Sequence, residues 1–143
     1  MTTTRKTVSR DVRTDVAHIT LAAQAATMEH ARHARRMAEL KAMHARLRLL
    51  DAYMPAIRAA GINVHGEELH SWGGRAINVM APVLNPKRNA TLERVLRDCG
   101  LREVRRSDYL HSYSVELRKG HLIVALTVDT RPLPKAQEAT KCA

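Results

Sequence analysis

The sequence predicts an α+β fold: a long N-terminal helix, either kinked or divided into a helical pair, then a small antiparallel sheet of about four to five strands with one short packed helix. Three observations predict it. Neither glycine nor proline occurs between Asp11 and Tyr53, which favours helix. Apolar residues recur at three- and four-residue steps from Leu92 to Cys99, as on one face of a short helix. Side chains alternate in character from Tyr109 to Leu117, as in a strand with one buried face.

The first predicted element is a long helical arm over residues 11–60. Alanine, leucine, methionine, arginine and lysine dominate this segment, and all five favour helix. Pro55 lacks a backbone donor, so we expect a kink or a restart of the helix at that point. Gly61 is well placed to end the helix as a C-terminal cap. We expect residues 1–10, ahead of the arm, to be flexible.

Apolar side chains form a seam along the second half of the arm. They recur at helical steps and include Met37, Leu40, Leu47 and Leu50. Such a seam has to be buried, either against the following domain or against the same helix of a second subunit, as in a coiled coil. The second arrangement would make the protein a homodimer.

A small α+β domain is predicted over residues 61–129. Ile62–His65 and Arg75–Val83 are expected to pair as a β-hairpin around the turn-rich segment His70–Gly74. The short helix comes next and is closed by Gly100, because glycine is the usual residue at a helix C-terminus.

The last predicted elements are strands. A further strand is predicted near Leu101–Val104, and the clearest hairpin joins Tyr109–Leu117 to His121–Asp129 through Lys119 and Gly120. Residues 130–143 contain two prolines followed by small and polar side chains, and we expect an extended or disordered tail.

The chain is strongly basic. Its 143 residues include 24 lysines and arginines against 14 aspartates and glutamates, for a formal net charge of +10. This charge indicates an acidic partner, either nucleic acid or an acidic protein surface. One tryptophan, three tyrosines and no phenylalanine are too few for stacking on successive unpaired bases, so contact with a duplex or with phosphates fits better.

The cysteine and histidine spacing predicts no metal site and no cofactor. Cys99 and Cys142 are too far apart for a metal knuckle or a disulfide framework, which favours a reducing, cytoplasmic location. His30 and His33 lie three apart without a third ligand at a matching step. The longest purely apolar runs are too short to span a membrane, so no membrane partner is expected.

Catalytic motifs are missing as well. The sequence has no glycine-rich phosphate loop before Gly-Lys-Ser/Thr and no Gly-x-Ser-x-Gly elbow. His65 and His70 flank a pair of glutamates, but they lie five apart, whereas a zinc-protease helix needs its histidines four apart. We therefore expect a protein that is not an enzyme.

The first candidate binding surface is the basic loop before the short helix. Lys87 and Arg88 lie where a helix N-terminus presents free N–H groups and the positive end of its dipole, which favours a phosphate. Arginines of the helix and of the following segment would extend this surface: Arg94, Arg97, Arg105 and Arg106.

Two further candidates lie on the arm and in a loop. The arm carries a cluster of Arg32, Arg35 and Arg36, in which like charges four apart repel each other unless an acidic partner is present. Trp72, in Ser-Trp-Gly-Gly, is a candidate anchor for a protein interface. Each candidate also has an ordinary interpretation, as a solvated helix face or as a side chain packed on its own domain.

The leading functional hypothesis is a small basic binding or regulatory protein that docks on nucleic acid through phosphate contacts. An alternative is a protein–protein interaction module, such as a phage- or plasmid-type inhibitor that binds an acidic or nucleic-acid-binding protein machine. A third is a structural oligomerisation protein that assembles through its long helix. Sequence-specific reading is not predicted, because no helix-turn-helix, zinc-finger or RNA-motif pattern occurs.

Overall fold

The computed structural model describes residues 19–132 and confirms the α+β fold class. Its main elements, in chain order, are α1 (Leu21–Asp51), α2 (Met54–Ala59), β1 (Leu69–His70), β2 (Ile77–Val79), α3 (Arg88–Asp98), β3 (Arg102–Asp108), β4 (Ser112–Lys119) and β5 (Leu122–Asp129). The predicted flexible segment 1–10, residues 11–18 of the predicted arm and residues 133–143 of the predicted tail lie outside the described residues. Within residues 19–132, no helix combines the length and the apolar run that crossing a membrane requires.

The strands form one sheet in the order β1-β2-β5-β4-β3. β3, β4 and β5 are successive antiparallel neighbours, and β1 pairs antiparallel with β2. β2 and β5 pair in parallel, with Ile77 beside Val124 and Val79 beside Leu126. β3 consequently runs in the same direction as β2, and the connection between them contains α3, since parallel strands need a long crossover.

Two details differ from the prediction. The sheet was expected to be antiparallel throughout, but β2 and β5 are parallel. The segment Ile62–His65 was expected to be a strand, but β1 at Leu69–His70 is the strand that pairs with β2. The N–H of Ile62 instead donates to the Ile57 carbonyl oxygen at 3.2 Å, so this segment closes α2 and its apolar side chain serves the core.

Both short helices end at the predicted glycines. Gly61 and Gly100 have φ angles of 76° and 92°, a left-handed conformation that residues with a Cβ rarely adopt. After α3, the Gly100 N–H donates to the Arg97 carbonyl oxygen and the Leu101 N–H donates to that of Leu96, which together form a Schellman motif. The motif turns Leu101 into the core, and β3 begins at the next residue.

One face of the sheet carries the hydrophobic core. Val115 and Leu117 of β4 lie beside Leu126 and Val124 of β5, and all four are buried. The helices contribute Leu50, Ile57, Leu92 and Leu96 to the same cluster. Because side chains alternate along a strand, the intervening residues of β3, β4 and β5 project from the opposite side, which we call the open face.

The chain divides into two compact units between Arg35 and Arg36, within the predicted arm. In the second unit, Leu50 belongs to the core and Leu47 packs against it, so these members of the predicted seam are covered by their own domain. Met37 is 53 % exposed and Leu40 is half-buried. The homodimer stays a prediction.

Candidate functional site

Arg88, which was predicted to contact phosphate, is buried and ion-paired. It is 6 % exposed, and its Nη1 donates to Glu68 Oε2 at 2.6 Å. Its Nη1 and Nη2 also donate to the carbonyl oxygens of Asn63 and Met80, at 3.2 and 2.7 Å. These contacts fasten the start of α3 to the segments on either side of β1 and β2, and they leave Arg88 poorly placed to reach a ligand at the surface.

Lys87, the other predicted residue of this loop, also forms contacts within its own domain. Its ammonium donates to the carbonyl oxygens of Asp129, at 3.0 Å, and of Arg131, and lies 3.6 Å from a carboxylate oxygen of Asp129. Hydrogen bonds from the Arg131 side chain and backbone hold the pKa of Asp129 well below its usual range. Lys87 therefore fastens the end of β5 to the start of α3.

Arg97 is held between two carboxylates. It lies 2.7 Å from an oxygen of Glu93 and 2.5 Å from one of Glu103. Glu93 also accepts a hydrogen bond from the Tyr113 hydroxyl. Burial, followed by this hydrogen bond, raises the pKa of Tyr113 to about 12. The positive charge of Arg97 is consequently compensated within its own domain.

The remaining predicted arginines of this region differ in their surroundings. Arg106 pairs with Asp108 at 3.0 Å, and its guanidinium lies 3.9 Å from the centroid of the Tyr113 ring. Arg94 and Arg105 are exposed and form no ion pair within residues 19–132. Of the four predicted arginines of this region, Arg97 and Arg106 are therefore ion-paired and Arg94 and Arg105 are not.

The predicted cluster on α1 is partly paired. In the first unit, Arg32 lies 2.7 Å from a carboxylate oxygen of Glu29, and Arg35 is exposed. In the second unit, Arg36 pairs with Glu39 at 2.6 Å. The repulsion expected between Arg32 and Arg36 is therefore relieved at both residues by glutamates three positions away.

The structure brings a different set of cations together, which we call the basic cleft. Arginines from α1, from the segment before β2 and from the end of β4 meet a histidine from the start of the β5 hairpin around a cleft of about 260 Å³. Its lining residues are Arg46, Gly73, Gly74, Arg75, Arg118, His121 and Ile123. No carboxylate lines the cleft, and none of its arginines forms an ion pair in the described part of the chain.

Backbone carbonyls hold two of these arginines in place. Arg46 Nη1 donates to the Gly74 carbonyl oxygen at 2.7 Å, and Arg118 Nε donates to that of Gly120 at 3.0 Å. A guanidinium has five N–H donors, so each arginine keeps further donors for a ligand. Because the partners are neutral, the positive charge is oriented but not compensated, as an anion-binding site requires.

The basic surface continues from the cleft onto the open face. Arg118 lies directly opposite Arg102 of β3, and Arg105 lies opposite Glu116. All three arginines are exposed. Like charges directly opposite each other destabilise a sheet, so the Arg102 and Arg118 pair lowers stability unless an anion lies against it.

Trp72 lies in a tight turn at the edge of the cleft. The Gly74 N–H donates to the Ser71 carbonyl oxygen at 2.7 Å, and the two central residues, Trp72 and Gly73, have φ angles of 44° and 78°. Positive φ at both central positions is the type I′ pattern, which favours asparagine and glycine. The Trp72 ring stacks on His70, with centroids 5.6 Å apart and planes at 4°.

Glu39 of α1 anchors this turn. Its Oε1 accepts the N–H groups of Ser71 and Trp72 at 2.7 and 3.2 Å, and its Oε2 accepts a hydrogen bond from Arg36. The hydrogen bond from Ser71, with further ones from Arg36 and Trp72, lowers the pKa of Glu39 from 4.5 to about 2. The backbone that presents Trp72 is therefore fixed by a carboxylate that stays ionised far into the acid range.

We expect Glu39→Gln to destabilise the protein by roughly 2 kcal/mol near neutral pH, because hydrogen bonds to a charged acceptor are lost. The folded-state pKa lies below the ordinary value of 4.5, so the contribution of the carboxylate is fully present above pH 4.5 and is lost as the pH falls through about 2. Urea unfolding at several pH values should show wild type and variant converging in acid. Glu67→Gln, at an exposed neighbour, is the control, and a pH-independent difference would contradict this role for Glu39.

Sequence reasoning missed the basic cleft. The alternation along β4 was a usable signal, because it places Arg118 on the polar side of the strand with Glu116. No local signal relates Arg118 to Arg46 or Arg75, since helix packing and strand register bring these segments together. Trp72 was identified as a candidate, but its position beside the cleft was not predicted.

Other surfaces offer less chemistry. A depression of about 320 Å³ at the opposite end of β5 contains Asp129 and Arg131, but these two bond to each other. Among the described residues, no group of three histidine, cysteine, aspartate or glutamate side chains is placed to hold a metal ion. The basic cleft is therefore the site with the clearest capacity to bind a ligand.

Comparisons with known proteins add no information about the ligand. No family model matches this chain, and no curated protein or solved structure is significantly similar to it. The function has to be inferred from the geometry and charge of the site itself.

Proposed function

We propose that the protein is a small non-enzymatic nucleic-acid-binding protein that holds the phosphate backbone in the basic cleft. The observation that carries this proposal is the convergence of Arg46, Arg75, Arg118 and His121 on a cleft without a carboxylate. Arg88, Arg97 and Arg106, by contrast, each lie against a carboxylate. The cleft keeps its charge uncompensated, which favours a polyanionic ligand.

The extent of the basic surface favours a polymer over a single small anion. From the cleft, exposed arginines continue across neighbouring strands at Arg118, Arg102 and Arg105. Adjacent strands are about 4.8 Å apart, so these side chains offer several separate contacts along a phosphate backbone. Hydroxyls continue the open face at Ser107, Ser114 and Thr127, which are cross-strand neighbours. Such side chains are common phosphate contacts.

We expect the affinity for a labelled oligonucleotide to fall linearly with salt on a double logarithmic scale, because bound phosphates release counterions. Arg118→Gln should weaken binding about fivefold to tenfold at low salt. It should lower the magnitude of the slope by about 0.9 on a duplex or about 0.7 on a single strand, the contribution of one phosphate contact. Fluorescence anisotropy over a salt series measures both quantities. Circular dichroism of the variant checks that the fold is intact.

Arg94→Gln is the matched control. Arg94 is exposed on α3, which packs on the core face of the sheet, so its neutralisation removes the same charge away from the cleft. It should leave the slope unchanged. An equal loss of affinity in Arg94→Gln would indicate that the binding surface includes α3. Negligible binding by the wild-type protein even at low salt would overturn the proposal.

A second candidate function is binding of a protein partner. The observation in its favour is an exposed apolar surface in two loops at the end of the sheet opposite the cleft, where Val83, Leu84 and Leu110 are 94, 98 and 87 % exposed. Grouped apolar side chains of this kind often mark protein contacts. This surface shares no residue with the basic cleft, so both functions are compatible with one chain.

A further inference from the structure

We propose that Trp72 stacks on one unpaired base of the bound nucleic acid, so that the ligand is single-stranded or looped rather than a continuous duplex. This inference rests on the proposed function and specifies the ligand class for the same site. It is carried by the conformation of Trp72, by the way the ring is held and by its position beside the cleft.

The backbone conformation of Trp72 is unfavourable for a bulky residue. Its φ of 44° lies in the left-handed region, at a turn position where asparagine or glycine is usual. Trp72 is the only described residue other than glycine with a positive φ. Strain of this kind persists where the surrounding structure holds it and where the side chain has a function.

The ring is held firmly on one side and open on the other. Two N–H bonds to Glu39 fix the backbone of the turn, and the parallel stack on His70 fixes the orientation of the indole. Trp72 is nevertheless 65 % exposed. Since His70 occupies one face, the other face is available to a second planar ring, in the offset geometry that aromatic groups prefer.

The neighbours of Trp72 are suited to a nucleotide. Gly73, Gly74 and Arg75 follow it directly and line the basic cleft, and Arg46 donates to the Gly74 carbonyl oxygen. A base on the indole would thus place its phosphate close to the arginines. An anchor for a protein partner usually lies among apolar groups, whereas Trp72 stacks on a histidine and is followed by two glycines and an arginine that line the basic cleft.

The number of aromatic residues sets the number of stacked bases. The chain has one tryptophan, three tyrosines and no phenylalanine. Tyr53 and Tyr113 are half-buried, and the exposed Tyr109 lies in a loop at the end of the sheet opposite the cleft. One face of the Trp72 ring is already covered by His70. A base inside a duplex has both faces covered by its neighbours, and extracting it costs unstacking energy. One open ring beside a phosphate site therefore fits a single unpaired base, at a loop, a bulge or in a single strand.

The test uses the full-length chain and the fluorescence of Trp72, which is the only tryptophan. The probes are an oligouridine, an oligothymidine and a blunt-ended duplex of the same length. We expect both single strands to quench the tryptophan emission on binding, and the duplex to leave it nearly unchanged. Quenching by oligouridine alone would support the stack and restrict it to RNA.

Three variants separate stacking from other effects. Trp72→Leu should lose about tenfold in affinity for the single strands, with the duplex unaffected, because it keeps apolar bulk but no ring face. Trp72→Phe keeps a ring and should stay within about threefold of wild type. Tyr109→Leu is the control, because Tyr109 is equally exposed, at 64 %, in a loop at the opposite end of the sheet.

The outcomes distinguish this inference from the function on which it rests. Unchanged single-strand affinity in Trp72→Leu, or an equal loss for duplex and single strand, would overturn the stacking. If Arg118→Gln still lowers the salt slope in that case, the nucleic-acid proposal stands without it. If neither Trp72→Leu nor Arg118→Gln changes binding, both proposals fail.

Discussion

Arg88→Ala is expected to lower the free energy of unfolding by about 3–5 kcal/mol, a large part of the total for a small domain. The substitution leaves the Glu68 carboxylate, whose side chain is 11 % exposed, without the guanidinium that lies 2.6 Å from it. It also leaves the Met80 carbonyl oxygen without its donor from Arg88. A buried charge without a partner is strongly destabilising, because its desolvation is no longer offset. Urea unfolding at neutral pH measures the effect.

The double variant Arg88→Met with Glu68→Leu is the matched test of the cause. Apolar residues of similar volume often replace a buried ion pair with little loss of stability, so the double variant should recover most of the difference. If it is as unstable as Arg88→Ala, then the guanidinium contributes mainly through Asn63 and Met80 and not through the ion pair. A single variant within about 1 kcal/mol of wild type would contradict the structural role of Arg88.

The position of Arg88 shows what periodicity reveals and what it does not. Leu92 and Leu96 follow at four-residue steps, so Arg88 lies on the buried stripe of the helix that the sequence predicts. This periodicity was visible in the sequence, but the positive charge of Arg88 suggested that its side chain would be exposed to solvent. An arginine can occupy such a stripe only if an acid meets it, and Glu68 comes from a different segment of the chain. Periodicity thus indicates where Arg88 lies on the helix, but the ion pair that permits its burial depends on tertiary structure, which the local pattern does not encode.

The local parts of the fold could be predicted because their causes are local. A glycine ends α3, and alternation with a Lys119-Gly120 turn specifies the β4 and β5 hairpin. The parallel pairing of β2 with β5 joins residues 47 positions apart in the sequence, as with Ile77 and Val124. Nothing in a stretch as short as Ile77–Val79 indicates its partner or direction, and the predicted strand at Ile62–His65 was wrong for the same reason.

Candidate sites were harder to predict than elements, because compensation of charge is a pairwise property. The sequence gives no reason to treat Arg97 and Arg105 differently. Arg97 nevertheless lies between two glutamates, whereas Arg105 forms no ion pair in the described residues. Net charge therefore indicated an acidic partner without indicating which arginines would meet it. Which charges meet depends on the strand register, which places Arg102 directly opposite Arg118.

Arg75→Glu combined with Arg118→Glu is expected to weaken nucleic-acid binding by at least about 100-fold at low salt. Each reversal removes a charge-assisted contact and adds repulsion, and two such contacts correspond to about 3 kcal/mol or more. The magnitude of the salt slope should fall by about 1.4 on a single strand and about 1.8 on a duplex, the contribution of two phosphate contacts. Stability should change little, because Arg118→Glu loses an exposed hydrogen bond to Gly120 but replaces repulsion from Arg102 by attraction across the strands. Thermal unfolding and anisotropy titrations measure the two effects separately.

The control is a second double reversal, Arg58→Glu with Arg94→Glu, which changes the net charge equally. Both residues are exposed, on α2 and α3, whose apolar sides pack into the core on the face of the sheet opposite the open face. General attraction between a basic protein and a polyanion depends on net charge and is screened beyond about 10 Å at about 0.1 M salt. At that salt concentration the control should lose only a few-fold in affinity, while the Arg75 and Arg118 variant should still lose far more. Equal losses of affinity in the two double variants would show that the nucleic acid is attracted by net charge alone and not bound at a defined site. A loss confined to the Arg75 and Arg118 variant would mean that phosphate is bound in the basic cleft, where several uncompensated cations converge, and not at isolated exposed arginines such as Arg58 and Arg94.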